Sequence, residues 1–242
     1  MKIVDCFWEK VNLGKRTTEI TVEESDSFSD DLLNKLIDGY EYLVVKIPMN
    51  MPSFNIGLSN MGFICIETQM IVRKAYQDFD FDKLAALYNR TSYEVVDTES
   101  SFNSVLESIT PGMFSTDRIS LDPIFGEAIA CLRYKNWMTT EYRNGKSSLI
   151  RVLFGGKHIG FMLIRVENDE IQLLLNGIYK PFQHHGLGLL TPGTPLMYAH
   201  KEMLNVSDEV TSISSNNIPV VKLYNRLGFQ LDRQYYVFIK HQ

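Results

Sequence analysis

The order of strand-like and helix-like segments in the C-terminal part of the chain constrains the fold most strongly. After Gly145, three aliphatic and β-branched runs follow one another, and Gly155-Gly156 and Asn168-Asp169 are typical of the hairpin turns between them. A glycine-containing loop, a helix, a strand, a helix and a last strand complete the chain. Hairpin strands followed by strands that alternate with helices indicate an α/β fold built on one mixed sheet.

The N-terminal half carries weaker patterns of the same kind. Helices are predicted at 30–39, 53–61, 78–90 and 123–143, and strands at 42–47 and 63–73. The segment from 91 to about 120 is polar and has no clear pattern.

One of these helix–strand units has an echo later in the chain. Residues 54–63 (FNIGLSNMGF) align weakly with 220–229 (VVKLYNRLGF), and a strand-like run follows each. We interpret the first segment as a degenerate copy of a half-domain. Two unrelated helix–glycine–strand turns are the alternative.

Composition excludes several classes of protein. The 242 residues carry a net charge of −5, so there is no excess of cations to neutralise the phosphates of a nucleic acid. No stretch approaches the ~20 apolar residues of a membrane helix, and charges interrupt the N-terminus where a signal peptide would be apolar. Three scattered cysteines argue against a disulfide framework or a metal site. We expect a soluble, cytoplasmic protein that binds neither nucleic acid nor membrane.

Residues 181–188 (PFQHHGLG) carry the clearest chemical signal. They follow a strand and precede a helix, whose N-terminus contributes about half a positive charge. Gly186 and Gly188 remove side chains that would block a pyrophosphate. The loop is not a dinucleotide or P-loop site, because Thr191 replaces the third glycine and no Walker lysine is present. A plain strand-to-helix turn is the alternative.

This loop resembles the Q/R-x-x-G-x-G/A pyrophosphate loop of the GNAT superfamily of N-acyltransferases. The matching residues are Gln183, His184, His185, Gly186, Leu187 and Gly188. About 30 residues later, 216–229 (NNIPVVKLYNRLGF) resembles the superfamily pattern N-x-x-A-x-x-L-Y-x-x-L-G-F, with Val220 in place of alanine. The resemblance covers roughly residues 147–240. It implies a GNAT fold, with acetyl-CoA as the acyl donor and no metal.

The resemblance also implies roles for single residues. The end of the strand before the loop would bind the pantetheine arm of CoA through the backbone of Gly177, Ile178 and Tyr179, with one N–H as the oxyanion donor. Tyr224 matches the general acid that protonates the departing thiolate. Asn217 would bond a pantetheine amide. No general base stands out, which leaves water as the acceptor of the amine proton.

A narrower resemblance concerns the whole chain. Residues 5–16 and 114–137 are similar to segments of TDP-fucosamine acetyltransferases, which acylate amino sugars on nucleotide carriers. The implied acceptor is a nucleotide-linked amino sugar of the dTDP-4-amino-4,6-dideoxyhexose type. Candidate acceptor contacts are Arg118, which could grip a diphosphate, and Tyr134 and Trp137, which could stack on a base or sugar. For the two aromatic residues, packing of a helix on the sheet is the alternative.

The expected organisation is a truncated, degenerate GNAT-like subdomain at 1–120 and an acyltransferase domain at 121–242. Alternative functions are acetylation of another amine, such as a peptide N-terminus, an antibiotic or a polyamine, and acyl-CoA binding without catalysis. The sequence leaves the oligomeric state open, a homodimer included.

One feature departs from the superfamily pattern. Pro192 and Pro195 interrupt the helix that follows the loop. We therefore expect this helix to begin late, with Thr194 as its N-cap and Pro195 in its first turn.

Overall fold

The computed structural model describes residues 1–183 and 185–242, which form ten strands and nine α-helices. The strands are β1 (Lys2–Asp5), β2 (Thr17–Thr21), β3 (Tyr42–Pro48), β4 (Ile64–Ala75), β5 (Thr91–Val95), β6 (Ser148–Phe154), β7 (Lys157–Glu167), β8 (Glu170–Ile178), β9 (Asp208–Ser214) and β10 (Gln230–His241). The helices are α1 (Glu9–Leu13), α2 (Asp30–Ile37), α3 (Pro52–Asn60), α4 (Ala85–Tyr88), α5 (Glu99–Ser108), α6 (Arg118–Leu121), α7 (Gly126–Arg143), α8 (Leu190–Lys201) and α9 (Ile218–Arg226).

All ten strands belong to one mixed sheet in the order β1-β2-β3-β10-β4-β9-β8-β7-β6-β5. This confirms the predicted α/β class. The β6–β7–β8 meander is antiparallel, and both of its turns have the positive φ values that type I′ hairpins require: 56° and 78° at Gly155-Gly156, and 51° and 61° at Asn168-Asp169. The two pairs of turn residues therefore set the register of this part of the sheet.

Helices cover both faces of the sheet. Leucines of α8, such as Leu190 and Leu196, pack on Ile150 and Val152. Residues of α5 and α7, such as Phe102 and Met138, pack on the opposite face. The central strands therefore carry apolar side chains on both faces, because both faces are buried. We call these two faces the α8 side and the α7 side.

The strand pairing is nearly symmetric about the β4–β10 pair. Ile64 pairs with Ile239 and Arg73 pairs with Gln230, and a shift of 166 residues (230 minus 64) converts one pair into the other. The same shift converts the pairing of Tyr235 with Pro48 into that of Gln69 with Ser214. The weak echo between 54–63 and 220–229 thus corresponds to two helix–strand units in the same register. Each unit places its last strand beside a strand of the other half.

The division of the chain at residue 120 stays a prediction. Before that boundary β5 already pairs with β6 of the C-terminal meander, and β4 pairs with β9. These pairings join the two parts of the chain in a single sheet.

One sequence prediction about the N-terminal half is wrong, and one segment without a clear sequence pattern has regular structure. The predicted helix at 78–90 is reduced to α4, because Asp80 caps only a turn, with its Oδ1 accepting from the Lys83 N–H at 2.9 Å. The polar segment from 91 to about 120 contains β5, α5 and α6. Its helix α5 begins at a capping box formed by Thr98 and Ser101, a serine variant of the usual Glu or Gln pattern.

Candidate active site

A cleft opens between β8 and β9 near the centre of the sheet. The two parallel strands pair only from Glu170 with Asp208 to Leu173 with Thr211. A register shift in the β7–β8 ladder follows at once, with Leu174 as the extra residue. Beyond it, β8 and β9 continue for several residues without pairing with each other. Their backbone N–H and C=O groups are therefore available to a ligand between the strands.

Glycines shape the walls of this cleft. A Cβ at Gly177 would lie 2.5 Å from Cε of Met113, so the loop before α6 packs directly on the backbone of β8. A Cβ at Gly160 on β7 would lie 2.2 Å from the Gly177 carbonyl oxygen. The backbone contact at Gly160 therefore excludes a larger residue there, whereas at Gly177 the end of the Met113 side chain would have to move.

The loop after β8 leads into the start of a helix. The Gln183 side chain donates to the Ile178 carbonyl at 2.9 Å, which holds the loop against the end of β8. Gly186 has φ of +75°, and open space surrounds its missing Cβ. A 3₁₀ turn, Leu187–Leu189, continues directly into α8. The helix N-terminus thus follows the glycines without a break, an arrangement that suits an anionic ligand.

The remaining residues predicted for this loop differ in their exposure and contacts. The Leu187 side chain is buried, and a Cβ at Gly188 would lie 3.4 Å from Leu223 of α9. His185 is exposed and its Nδ1 lies 2.8 Å from the Gln183 carbonyl oxygen. His184 lies outside the described residues.

The prediction that α8 begins late is wrong. The helix begins at Leu190, and Pro195 lies inside it. Pro192 falls in the first turn, where N–H groups have no helical partner. Pro195 cannot bond to the Thr191 carbonyl, which would be its i−4 partner. That oxygen instead accepts from Asn176 Nδ2 of β8 at 2.8 Å. The sheet thereby replaces the hydrogen bond that the proline removes.

We predict that Asn176→Leu destabilises the protein by roughly 1–3 kcal/mol, because the Thr191 carbonyl would lose its partner. Urea denaturation measures the change. Asn225→Leu, at an exposed position of α9, is the control and should shift the free energy of unfolding by about 0.5 kcal/mol or less. Equal effects of the two substitutions would contradict this account of Pro195.

Tyr224 projects from α9 to the apex of the cleft. Its ring is buried and packs edge-on against Phe229, with ring centroids 4.7 Å apart. Burial raises the pKa of its phenol well above the usual value, and the charge of Glu209 adds to this, whereas side-chain hydrogen bonding with Thr211 and Asn176 lowers it. Since Thr211 closes the β8–β9 pairing, the hydroxyl lies where the strands separate. It is a protonated donor at neutral pH.

Glu209 of β9 is a buried acid close to Tyr224. It has no exposed surface, and within residues 1–183 and 185–242 neither carboxylate oxygen has a hydrogen-bond partner. Burial raises its pKa well above the usual value. Glu209 lies close enough to Tyr224 to raise the pKa of its phenol.

Asn217 is the N-cap of α9. Its side-chain oxygen accepts from the Val220 N–H at 3.3 Å, so the residue has a structural role at the start of this helix. Contact with a pantetheine amide stays a prediction.

A polar wall lies on the α7 side of the cleft. Glu67 of β4 pairs with Val237, whose side chain packs under α6 and α7. Burial raises the pKa of the Glu67 carboxyl, and its hydrogen bond with Ser214 and the nearby Arg118 lower it less. Gln69, on the same side of β4, donates to Ser212 Oγ at 2.7 Å. Ser212 and Ser214 belong to the end of β9 that pairs with β4 but not with β8, so Glu67 lies beside the cleft.

Sequence reasoning missed Glu67 and Asn176. Glu67 lies in an ordinary strand pattern, and only the pairing of β4 with β9, 147 residues apart at Thr68 and Ser215, brings it to the cleft. For Asn176 the sequence held an indirect signal. Pro195, inside a helix, leaves one carbonyl in need of a donor from elsewhere.

The predicted acceptor residues lie on the same α7 side. Arg118 Nη2 is 3.6 Å from Glu19, and its acidic surroundings, Glu19 foremost, raise its pKa despite the opposing effect of burial. Tyr134 is stacked at a tilt on Phe114, with centroids 4.6 Å apart, and Trp137 lies 6.4 Å from Tyr134. Asp117 caps α6 through the Ile119 and Ser120 N–H groups. The charge of Arg118 is thus already balanced by the protein.

Within residues 1–183 and 185–242, no group of three His, Cys, Asp or Glu side chains is arranged to hold a metal ion. None of the helices in these residues combines the length and apolar character of a membrane span.

Several solved structures share this fold. A GCN5-related N-acetyltransferase from Kribbella flavida superposes with a TM-score of 0.60 at 12% identity, covering 93% of this chain and 80% of that one. One from Sphaerobacter thermophilus gives 0.56 at 11%, covering 83% of this chain but only 59% of its own length. A tandem GNAT protein from the clavulanic acid pathway gives 0.54 at 14%, covering 87% and 66%.

No family model and no curated protein sequence matches the chain. At identities this low, the similarity concerns the fold. The chain therefore has the fold of the GCN5-related N-acetyltransferases, as the loop and the L-Y-x-x-L-G-F segment predicted. The narrower resemblance to TDP-fucosamine acetyltransferases stays a prediction.

Proposed function

We propose that the protein transfers an acetyl group from acetyl-CoA to an amine of a small molecule. The observation that carries the proposal is the cleft between β8 and β9, with a protonated Tyr224 at its apex and a glycine loop with a helix N-terminus at its mouth. The loop fits a pyrophosphate, and the backbone groups of Gly177 and Ile178 that face away from β7 fit the pantetheine arm. The Tyr179 N–H already donates to the Ile159 carbonyl at 2.8 Å, so it is not one of these groups.

Each step of the transfer has a candidate group in the cleft. Glu67, whose pKa burial raises, accepts a proton from the attacking ammonium, directly or through a water. A backbone N–H of β8 stabilises the oxyanion as the amine attacks the thioester carbonyl. Tyr224 donates a proton to the departing thiolate. The ammonium loses two protons in all: Glu67 passes the first to solvent before the attack and accepts the second as the amide forms. The amide product and a free thiol leave, and Tyr224 regains its proton from Glu67 through solvent, so one proton is released in each turnover.

For the acceptor, we carry forward the nucleotide-linked amino sugar as a proposal. Because Arg118 is already paired with Glu19, it offers little free charge to a diphosphate. An acceptor without any anionic group, such as a polyamine, is therefore the second candidate. Acyl-CoA binding without catalysis is the third, and loss of turnover on substitution of Tyr224 would argue against it.

CoA binding tests the site directly. Gly186→Asp should weaken the CoA affinity by about 10-fold or more, because a carboxylate would face the pyrophosphate. Gly145→Asp is a matched control, since both glycines have positive φ (75° and 70°) and open space around the missing Cβ. Isothermal titration calorimetry with CoA measures both. Absence of CoA binding by the unchanged protein would refute the proposed function.

A further inference from the structure

A second cavity lies on the α7 side, where β8 leads into the glycine loop. Its volume is about 450 Å³, within the range of small-molecule sites. The polar groups that line it include Ser104, Ser108, Arg151, His158, Tyr179 and Lys180. It is separate from the β8–β9 cleft, because Arg151 belongs to β6 and His158 to β7.

Among residues 1–183 and 185–242, no acceptor lies within close hydrogen-bond distance of Arg151. Only 16% of its side chain is exposed, yet its two nearest acceptors are Glu94, at 3.6 Å, and the Ser101 carbonyl, at 3.5 Å. Both distances exceed the 2.7–3.2 Å of a good N–H···O bond. The five donors of a guanidinium normally find close partners when half-buried. The site thus presents donors that a ligand can satisfy.

The other lining groups add donors of the same kind. Burial raises the pKa of Tyr179 to about 12, against the opposing effects of Arg151 and the hydrogen bond with Ser108, so its hydroxyl stays protonated. Lys180 Nζ donates to the Pro111 carbonyl and keeps further N–H donors. His158 lies 3.0 Å from Glu94, half of whose side chain is exposed. Among the described residues, no Asp or Glu lines the cavity itself.

We propose that this cavity binds an oxyanion, a phosphate or carboxylate group carried by a small molecule. Arg151 and Lys180 supply the charge, and hydroxyls supply directional hydrogen bonds. The volume exceeds that of the anion alone, and Phe182 adds an apolar wall for the body of the ligand. Glu94 is displaced from Arg151 when the ligand binds.

The position of the cavity identifies its occupant, a step that rests on the proposed function. Tyr179 and Lys180 follow Gly177 by two and three residues, or about 7–10 Å along an extended strand. An acyl acceptor whose amine reaches the cleft can therefore place an anionic group here. The substrate class is an amine that carries a phosphate or carboxylate at about that distance.

Anion binding is tested without any acyl transfer. NMR titration of the ring signals of His158 and Tyr179 measures the dissociation constant for inorganic phosphate and for malonate, with and without CoA. Arg151→Gln should weaken binding roughly 10-fold or more. Glu94→Gln should strengthen it, because it removes a competing carboxylate at an exposed position. Arg143→Gln, an exposed arginine paired with Glu99, should leave it unchanged.

Several outcomes would overturn the proposal. These are no shift with either anion, equal effects of the Arg151 and Arg143 substitutions, and weaker binding in Glu94→Gln. If Arg151→Gln weakens the binding of CoA but not that of dephospho-CoA, the cavity holds the 3′-phosphate of CoA and the proposal is wrong.

A second measurement tests the occupant. If acetyl transfer occurs, KM for an aminohexose phosphate should rise in Arg151→Gln, while KM for the unphosphorylated aminohexose should not. Equal changes in the two KM values would show that the acceptor does not bind in this cavity. The NMR titration would then decide whether the anion site exists. Absence of acetyl transfer with intact anion binding would refute the proposed function and not the site.

Discussion

Tyr224→Phe is expected to lower kcat by roughly 10²–10⁴-fold while CoA affinity changes only a few-fold. The substitution removes one hydroxyl and keeps the buried ring against Phe229. The hydroxyl acts chiefly as charge develops on sulfur, so its loss raises the barrier more than it weakens binding. Rapid-quench kinetics of acetyl transfer, under conditions where chemistry is rate-limiting, measures kcat, and calorimetry measures the CoA affinity.

Tyr88→Phe is the matched control for this substitution. Tyr88 is equally buried, and in the described part of the chain its hydroxyl has no hydrogen-bond partner. Loss of that hydroxyl should leave kcat unchanged. If Tyr224→Phe retains near-normal kcat, Tyr224 is structural and the thiolate takes its proton from water.

Glu67→Gln is expected to lower kcat/KM by roughly 10²–10⁴-fold at neutral pH, because the cleft would lose its candidate base. The base form of Glu67 exists above its pKa, which burial raises from the usual value. The activity of the unchanged protein should therefore fall as pH decreases through that raised pKa. The variant should lack this acidic limb, and a pH profile of kcat/KM measures it.

The free energy of unfolding distinguishes a loss of catalysis in Glu67→Gln from a loss of folding. A carboxyl whose pKa is raised by folding contributes stability below its unfolded pKa, and this contribution is lost as pH rises through the folded pKa. At neutral pH the neutral glutamine should therefore not reduce the free energy of unfolding through charge. Glu99→Gln, at an exposed acid of α5, is the control. A persistent acidic limb in Glu67→Gln would assign the base role elsewhere.

Local patterns were sufficient to predict the C-terminal part of the fold. The hairpin turns, the strands of the β6–β7–β8 meander and α9 depend on residues adjacent in sequence, and the structure places α9 at 218–226 as predicted. The loop at 183–188 and Tyr224 were also recognisable, because a glycine that leads into a helix and an L-Y-x-x-L-G-F segment are local features. Their roles in binding and catalysis remain predictions.

Local patterns failed where distant pairing decides the structure. The short strands β1 and β2 and the segment 91–121 have little periodicity of their own, and the sheet and α7 give them their conformation.

The sequence by itself thus determined the mixed sheet, the glycine loop and the tyrosine that follows it, because each rests on residues a few positions apart. Only the tertiary structure decided that β4 lies between β9 and β10, which brings Glu67 to the cleft. It also decided that Asn176 satisfies the carbonyl left by Pro195, and that Arg118 is surrounded by acids. These outcomes depend on the register of strands far apart in sequence, which no local pattern contains.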